Sequence, residues 1–193
     1  MVIKLEKCVF GVEQIDFLGH RVSAEGITPL PSKVKAIVDY PEPPNPKGLE
    51  RFLGMLNFYH GFVPHAAEML RPLYMTLACK PRPKTLDWSN EMTEAFSNAK
   101  NALAKATMLH HPVIGAQTSL TSDASDTAVG AVLEQRIKGK WQPLAFFSRQ
   151  LRKTEQKYAT FDRELLGILL AIRHFRYFLE GRSFTVFTDN SNI

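Results

Sequence analysis

The chain has only two cysteines, Cys8 and Cys79, in 193 residues. That excludes a disulfide framework and suits a reducing, intracellular compartment. Long hydrophobic runs are also missing. The longest strongly apolar stretch, Leu165–Ile172, is too short to cross a bilayer, and no signal peptide is visible. There is no internal repeat and no low-complexity tract. No glycine-rich loop of the kind that cradles phosphates is present, which sets a sugar-phosphate hydrolase low. His110 and His111 stand together, yet no cysteine or further histidine recurs at zinc spacing, so a metal role there is not expected.

What is present is enough for real cores: 45% of residues are hydrophobic. The length allows one large domain or two small ones. The formal net charge of +5 is equally compatible with an ordinary solvated surface and with a polyanionic partner. The prolines mark the joints. Tyr40-Pro-Glu-Pro-Pro-Asn-Pro46 carries four of them and must run extended, and Lys80–Lys84 is a second connector.

The N-terminal 28 residues read as short strands: Val9–Phe10, Ile15–Phe17 and the stretch around His20–Val22. Gly11, Gly19 and Gly26 punctuate them. A short helix is expected over Ser32–Asp39. Asn45 caps the next helix with Pro46 at its first position, and Leu49, Phe52, Leu53 and Leu56 follow at core spacing. Phe52, Phe58, Tyr59 and Phe62 read as core aromatics. Ser89 caps a further helix with Met92, Ala95, Phe96, Ala99 and Leu103 on one face. Lys100 and Lys105 fall off that face and are expected in solvent.

The second half carries the chemistry. Residues 118–135 read as a β-hairpin with Asp123 at the end of its first strand, opposite small residues Ala128, Gly130 and Ala131. Ser125 and Asp126 read as a turn. A third strand is expected over Trp141–Ser148, followed by Arg149, Arg152 and Lys153. These three are either loop charges or contacts to a polyanion. A helix is expected from Thr154 to Gly181, with Tyr158, Phe161, Leu165, Ile168, Ile172 and Phe175 on its buried face. Glu164 lies about 60° off the centre of that face, beside Gly167 and Ala171. A last strand, Ser183–Asp189, places Asp189 at its carboxyl end, where open α/β sheets build their sites. Two strand-borne aspartates and a helix-borne glutamate converging on one rim form a scaffold for two Mg²⁺ or Mn²⁺ ions, the hard cations that oxygen ligands suit.

At these residues the sequence resembles a known family. The strings TSDASDTAVGAVLEQ (121–135), PLAFFSRQL (143–151) and KYATFDRELLGILLAIRHFRYFLEGRSFTVFTDN (157–190) resemble the ribonuclease H domain of Gypsy-type LTR retroelement polyproteins. EKCVFGVEQIDFLGHRVSAEGI (6–27) resembles the segment that closes that family's reverse-transcriptase palm. PKGLERFLGMLNFYHGFVPHAAEMLRPL (46–73) resembles the start of its thumb, except that His60 stands where relatives commonly carry arginine.

The resemblance implies an α+β or α/β chain in three parts: the end of the palm over 1–45, thumb or connection helices over 46–111, and an RNase H-like mixed sheet with a long packed helix over 112–193. It implies that Asp123, Glu164 and Asp189 are the metal-binding, catalytic carboxylates. The implied parent reaction is divalent-metal-dependent hydrolysis of RNA in an RNA–DNA hybrid. The implied partners are that hybrid, or a primer–template duplex, and the rest of the Pol polyprotein. No Asp-Asp pair occurs in the strand–turn setting a polymerase palm needs, so polymerisation by this chain is not expected. The family's fourth acidic residue and further helices and strand would lie beyond Ile193. That leaves a catalytically inactive nucleic-acid-binding or structural remnant as the alternative, with Ser183–Asp189 as an exposed edge.

Overall fold

The computed structural model describes residues 8–81 and 84–188. Two sheets flank a helical body. The first sheet is an antiparallel meander of β1 (Gln14–Phe17), β2 (His20–Ser23) and β3 (Ile27–Pro29). Val9–Phe10, expected as a strand, is not one. Five helices follow: α1 (Pro31–Val38), α2 (Pro46–Asn57), α3 (Ala66–Met69), α4 (Arg71–Ala78) and α5 (Asn90–Ala104). A 3₁₀ turn, His60–Phe62, lies between α2 and α3.

The caps form as the sequence implies. Asn45 Oδ1 accepts the Gly48 amide at 2.9 Å, and Ser89 Oγ accepts that of Met92 at 3.3 Å. The apolar faces of α2 and α5 meet in one core, where Phe52 and Phe96 stack 4.3 Å apart and Leu49, Leu73 and Leu103 are fully buried. Ile37 of α1 belongs to the same core. Two expectations fail at its margin. Phe58 is 56% exposed, its ring packed beside His20 rather than buried. Lys100 is not solvated: its ammonium donates to the Tyr40 carbonyl at 2.6 Å and sits 4.6 Å over the Phe96 ring. A Lys stem lying along apolar surface can deliver its charge to a buried carbonyl in this way.

The second sheet is mixed, in the order β6-β5-β4-β7. Its strands are β4 (Thr118–Ala124), β5 (Ala128–Ile137), β6 (Lys140–Gln150) and β7 (Thr185–Phe187). Antiparallel pairing runs from β4 to β5 to β6, and β7 joins β4 in parallel. The expected hairpin and third strand are therefore present. Fold class is as anticipated, a mixed α and β chain with a small meander and a four-stranded sheet.

The long helix departs from expectation in both extent and face. Thr154 makes no capping bond and precedes a 3₁₀ turn, Glu155–Lys157; extended backbone at Tyr158 then separates that turn from α6 (Thr160–His174). After Phe175 a short α7 (Arg176–Leu179) follows, and Gly181, at φ 72°, ends the run. Of the aromatic and aliphatic stripe expected to be buried, Tyr158, Phe161 and Leu165 are 41–48% exposed. The face on the sheet is the flank of Glu164, Gly167 and Ala171. Small side chains explain this choice. A Cβ at Gly167 would lie 3.1 Å from Ser122 Oγ and 3.5 Å from Val129 Cγ1, so the helix backbone rests directly on β4 and β5.

The segment between α5 and β4 is tied to both sheets. The Leu109 and Ile27 backbones pair, His111 Nε2 meets the Ser23 carbonyl at 2.8 Å, and the His110 amide donates to Pro143. The expected joint at His110-His111 is thus a structural tie. On the far side, α3 packs on β6. The Ala67 amide donates to Ser148 Oγ at 2.9 Å, and Gln150 Nε2 donates to the Ala67 carbonyl at 3.2 Å.

Candidate nuclease site

Asp123 is the penultimate residue of β4 and registers against Gly130 of β5. Alternation along β4 turns Leu120, Ser122 and Ala124 towards α6 and turns Thr121 and Asp123 to the other face. Leu120 is accordingly buried with Ala171 and Phe175. Asp123, which is exposed, borders a cleft of about 210 Å³ lined also by Pro64, His65, Thr121, Gly130 and Phe146.

Glu164 lies in the second turn of α6, one turn before Gly167, and is 3% exposed. A carboxylate that deep needs donors. One is Thr188, whose Oγ1 donates to Glu164 Oε2 at 3.4 Å. Thr188 follows β7, which runs parallel to β4 with Phe187 registered on Thr121. The chain leaving β7 therefore arrives beside Glu164. Asp189, the next residue and the third expected carboxylate, lies outside the described residues.

Asp123 and Glu164 thus belong to one strand end, approached from its two faces. Among the described residues no three His, Cys, Asp or Glu side chains gather closely enough to hold a metal ion. The chemistry of the donors still suits a hard cation: a carboxylate at an open strand end, and a buried one held by a hydroxyl.

Sequence reasoning missed the brace between these two elements. Arg163, 8% exposed, reaches from α6 to the β4–β5 turn. It donates to Asp126 Oδ1, to the Ser125 carbonyl at 3.4 Å and to Thr160 Oγ1 at 3.2 Å. The turn itself is built as expected, with Ser125 Oγ accepting the Thr127 and Ala128 amides. A signal for the brace was available, since an arginine on the small-residue flank of a helix cannot be buried without a partner. Of the basic residues expected after the third strand, Arg149 lies within β6 and is ion-paired with Glu155 at 2.8 Å. Arg176 pairs with Glu180 at the surface.

Comparison with known proteins follows the same lines. A family described as the RNase H-like domain found in reverse transcriptase matches residues 88–186. The retrovirus-related Pol polyprotein from transposon 297 of Drosophila melanogaster is 39% identical over 188 residues, covering 97% of this chain and 17% of the polyprotein. The transposon Tf2-3 polyprotein of Schizosaccharomyces pombe is 32% identical over 196 residues, covering 100% of this chain and 14% of its own length. The chain therefore spans a small fraction of these relatives. Two solved structures share its fold at 22% identity: foamy viral protease-reverse transcriptase in complex with dsDNA, and the same protein in complex with RNA/DNA hybrid. Their TM-scores are 0.82 and 0.79, and they cover 97% and 94% of this chain and 39% and 24% of their own. With a family match over residues 88–186, including all of β4–β6 and α6, the chain belongs to the RNase H-like domains found in reverse transcriptase.

Proposed function

We propose that the chain is part of a Gypsy-type retroelement reverse transcriptase–ribonuclease H. In this reading residues 1–45 close the palm, 46–111 form thumb or connection helices, and 112–193 form the RNase H-like unit. The reaction is hydrolysis of the RNA strand of an RNA–DNA hybrid, with Asp123, Glu164 and Asp189 holding two Mg²⁺ or Mn²⁺ ions. The hybrid and the remainder of the Pol polyprotein are the partners. No helix among the described residues is long and apolar enough to cross a membrane.

The observation that carries this reading is the setting of Glu164. It is 3% exposed, on a helix seated on β4, and bonded to the hydroxyl of the residue that precedes Asp189. An acid is buried at such depth for a purpose other than solubility. Asp123, Glu164 and Asp189 would hold the cations, which would supply activation of a water and charge stabilisation at the leaving oxygen of the phosphodiester. The protein's share is positional. Arg163 ties the turn beyond Asp123 to the helix of Glu164, Thr188 orients Glu164, and Gly130 leaves Asp123 open to the cleft. Recognition of the hybrid would rest on shape and phosphate contacts, with little reading of sequence.

The alternative reading is binding without turnover. A hybrid-cleavage assay with and without Mg²⁺, on the wild type and Asp123→Asn, tests the first reading. Equal cleavage by the two proteins removes it. A filter-binding salt titration beside it identifies the second, as salt-sensitive hybrid binding with no turnover.

A further inference from the structure

The cleft beside Asp123 has a second wall that does not come from the sheet. His65, in the segment between the 3₁₀ turn and α3, lies over β5. A Cβ at Gly130 would stand 3.1 Å from its Nδ1 and 3.4 Å from its Cε1, so β5 gives up a side chain where the ring lies. Gly130 is the register partner of Asp123. His65 and Asp123 therefore flank one opening, together with Pro64, Thr121 and Phe146.

Three features set this histidine apart. Its backbone is left-handed, at φ 51° and ψ 26°, a region few residues other than glycine enter and in which Asn, Asp and His are the commonest exceptions. That conformation is held from its C-terminal side: Ala66 is 2% exposed, and the N–H and C=O of Ala67 are bonded to Ser148 and Gln150 of β6. Second, its ring has neither a hydrogen bond nor an aromatic contact among the described residues; the rings of His20, His60 and His111 each meet a backbone carbonyl, that of His174 packs on Phe147, and only His110 likewise lacks a partner. Third, it is exposed at the cleft, so its ring is open to a ligand there. A metal centre of His65 with Asp123 and Glu68 is excluded, because no three such groups gather.

We infer that His65 is a substrate-contacting residue of the Asp123 cleft: a ring N–H donates to a phosphodiester oxygen of the nucleic-acid strand lying there. The inference rests on the nucleic-acid reading above and adds a specific contact from the helical body to the sheet-borne site. A neutral or charged imidazole serves, since at least one ring nitrogen carries a hydrogen in either state.

The test is fluorescence anisotropy of a labelled RNA–DNA hybrid titrated with the full chain in EDTA, where cleavage and metal play no part. His65→Gly removes the donor and also relieves the left-handed backbone, so the variant should melt at the wild-type temperature or above it. Its hybrid affinity should fall about tenfold, the loss expected for one bond to a charged oxygen. Gly130→Ala, which displaces the ring without removing it, should lower affinity in the same direction. Wild-type affinity in His65→Gly overturns the inference, as does a loss of affinity that only accompanies a fall in melting temperature. If the wild type itself fails to bind hybrid, the nucleic-acid reading falls and takes this contact with it.

Discussion

Arg163, immediately before Glu164, is ion-paired with Asp126, three residues beyond Asp123. The two ends of that pair differ: the arginine side chain is 10% exposed and the aspartate side chain 88%. Removing Asp126 takes the carboxylate partner from a buried guanidinium, leaving it the Ser125 carbonyl and the Thr160 hydroxyl while its Nε already lacks a partner among the described residues. Removing Arg163 leaves a carboxylate that water can solvate. Asp126→Ala should therefore cost about 1–3 kcal/mol, the penalty of a buried donor left unmade. Arg163→Met keeps the stem's packing and should cost less. Urea denaturation of the two variants decides the matter, and a larger loss for Arg163→Met would reverse the argument.

Gly167 is the contact on which α6 rests. Replacement by alanine sets a gain in helix propensity of about 1 kcal/mol against a tight approach to Ser122 Oγ, so a small net change is expected. Valine adds branches that Val129 and Ser122 cannot both accommodate, and should cost about 1–3 kcal/mol. Thermal melts of Gly167→Ala and Gly167→Val should separate clearly. Coincident melts would mean that the helix does not sit as described.

Histidine chemistry supplies a pH prediction. Desolvation, and secondarily the neighbouring His60, hold His174 below the usual histidine value of 6.5. Its ring packs 4.6 Å from Phe147. The folded state thus binds fewer protons than the unfolded chain, and stability rises with pH through this window. The contribution is fully present above about pH 6.5 and is lost as pH falls below it towards the depressed folded value. Melting temperature should drop between pH 7.5 and pH 5.5, and His174→Gln should flatten that slope. An unchanged slope in the variant would assign the pH dependence elsewhere.

Glu164→Gln separates architecture from chemistry. The amide oxygen of glutamine still accepts from Thr188, so the melting temperature should stay close to wild type. Metal-dependent hybrid cleavage should fall by more than about a hundredfold, beyond what an outer-sphere change produces. Cleavage retained at the wild-type rate would remove Glu164 from the site.

The caps at Asn45 and Ser89, the helix end at Gly181 and the β4–β5 hairpin were legible because those features are local. Asn45, Ser89 and Gly181 each act within a few residues of their own position. The face of α6 was misread because hydrophobicity was taken as the guide to burial. Phe161 and Leu165 are the larger apolar groups, yet Gly167 and Ala171 allow closer approach to the sheet, and contact distance decided the packing. Glu164 was placed correctly beside those small residues, at the margin of the expected face and at the centre of the observed one. The partners of Lys100 and Arg163, the Tyr40 carbonyl and Asp126, lie 60 and 37 residues away, out of reach of any local pattern. The placement of Asp123 at a strand end was legible. Its sharing of a cleft with His65 depends on how α3 docks onto β6, which no periodicity reports.

That docking has a mechanical consequence. Both backbone polar groups of Ala67 are engaged by a single strand, and the opposite side is tied by Leu109 to Ile27 and by His111 to Ser23. A load on the helices would pass into β6 through Ala67, so that a shift of α3 would be felt at the strand registered on Gly130, itself the partner of Asp123.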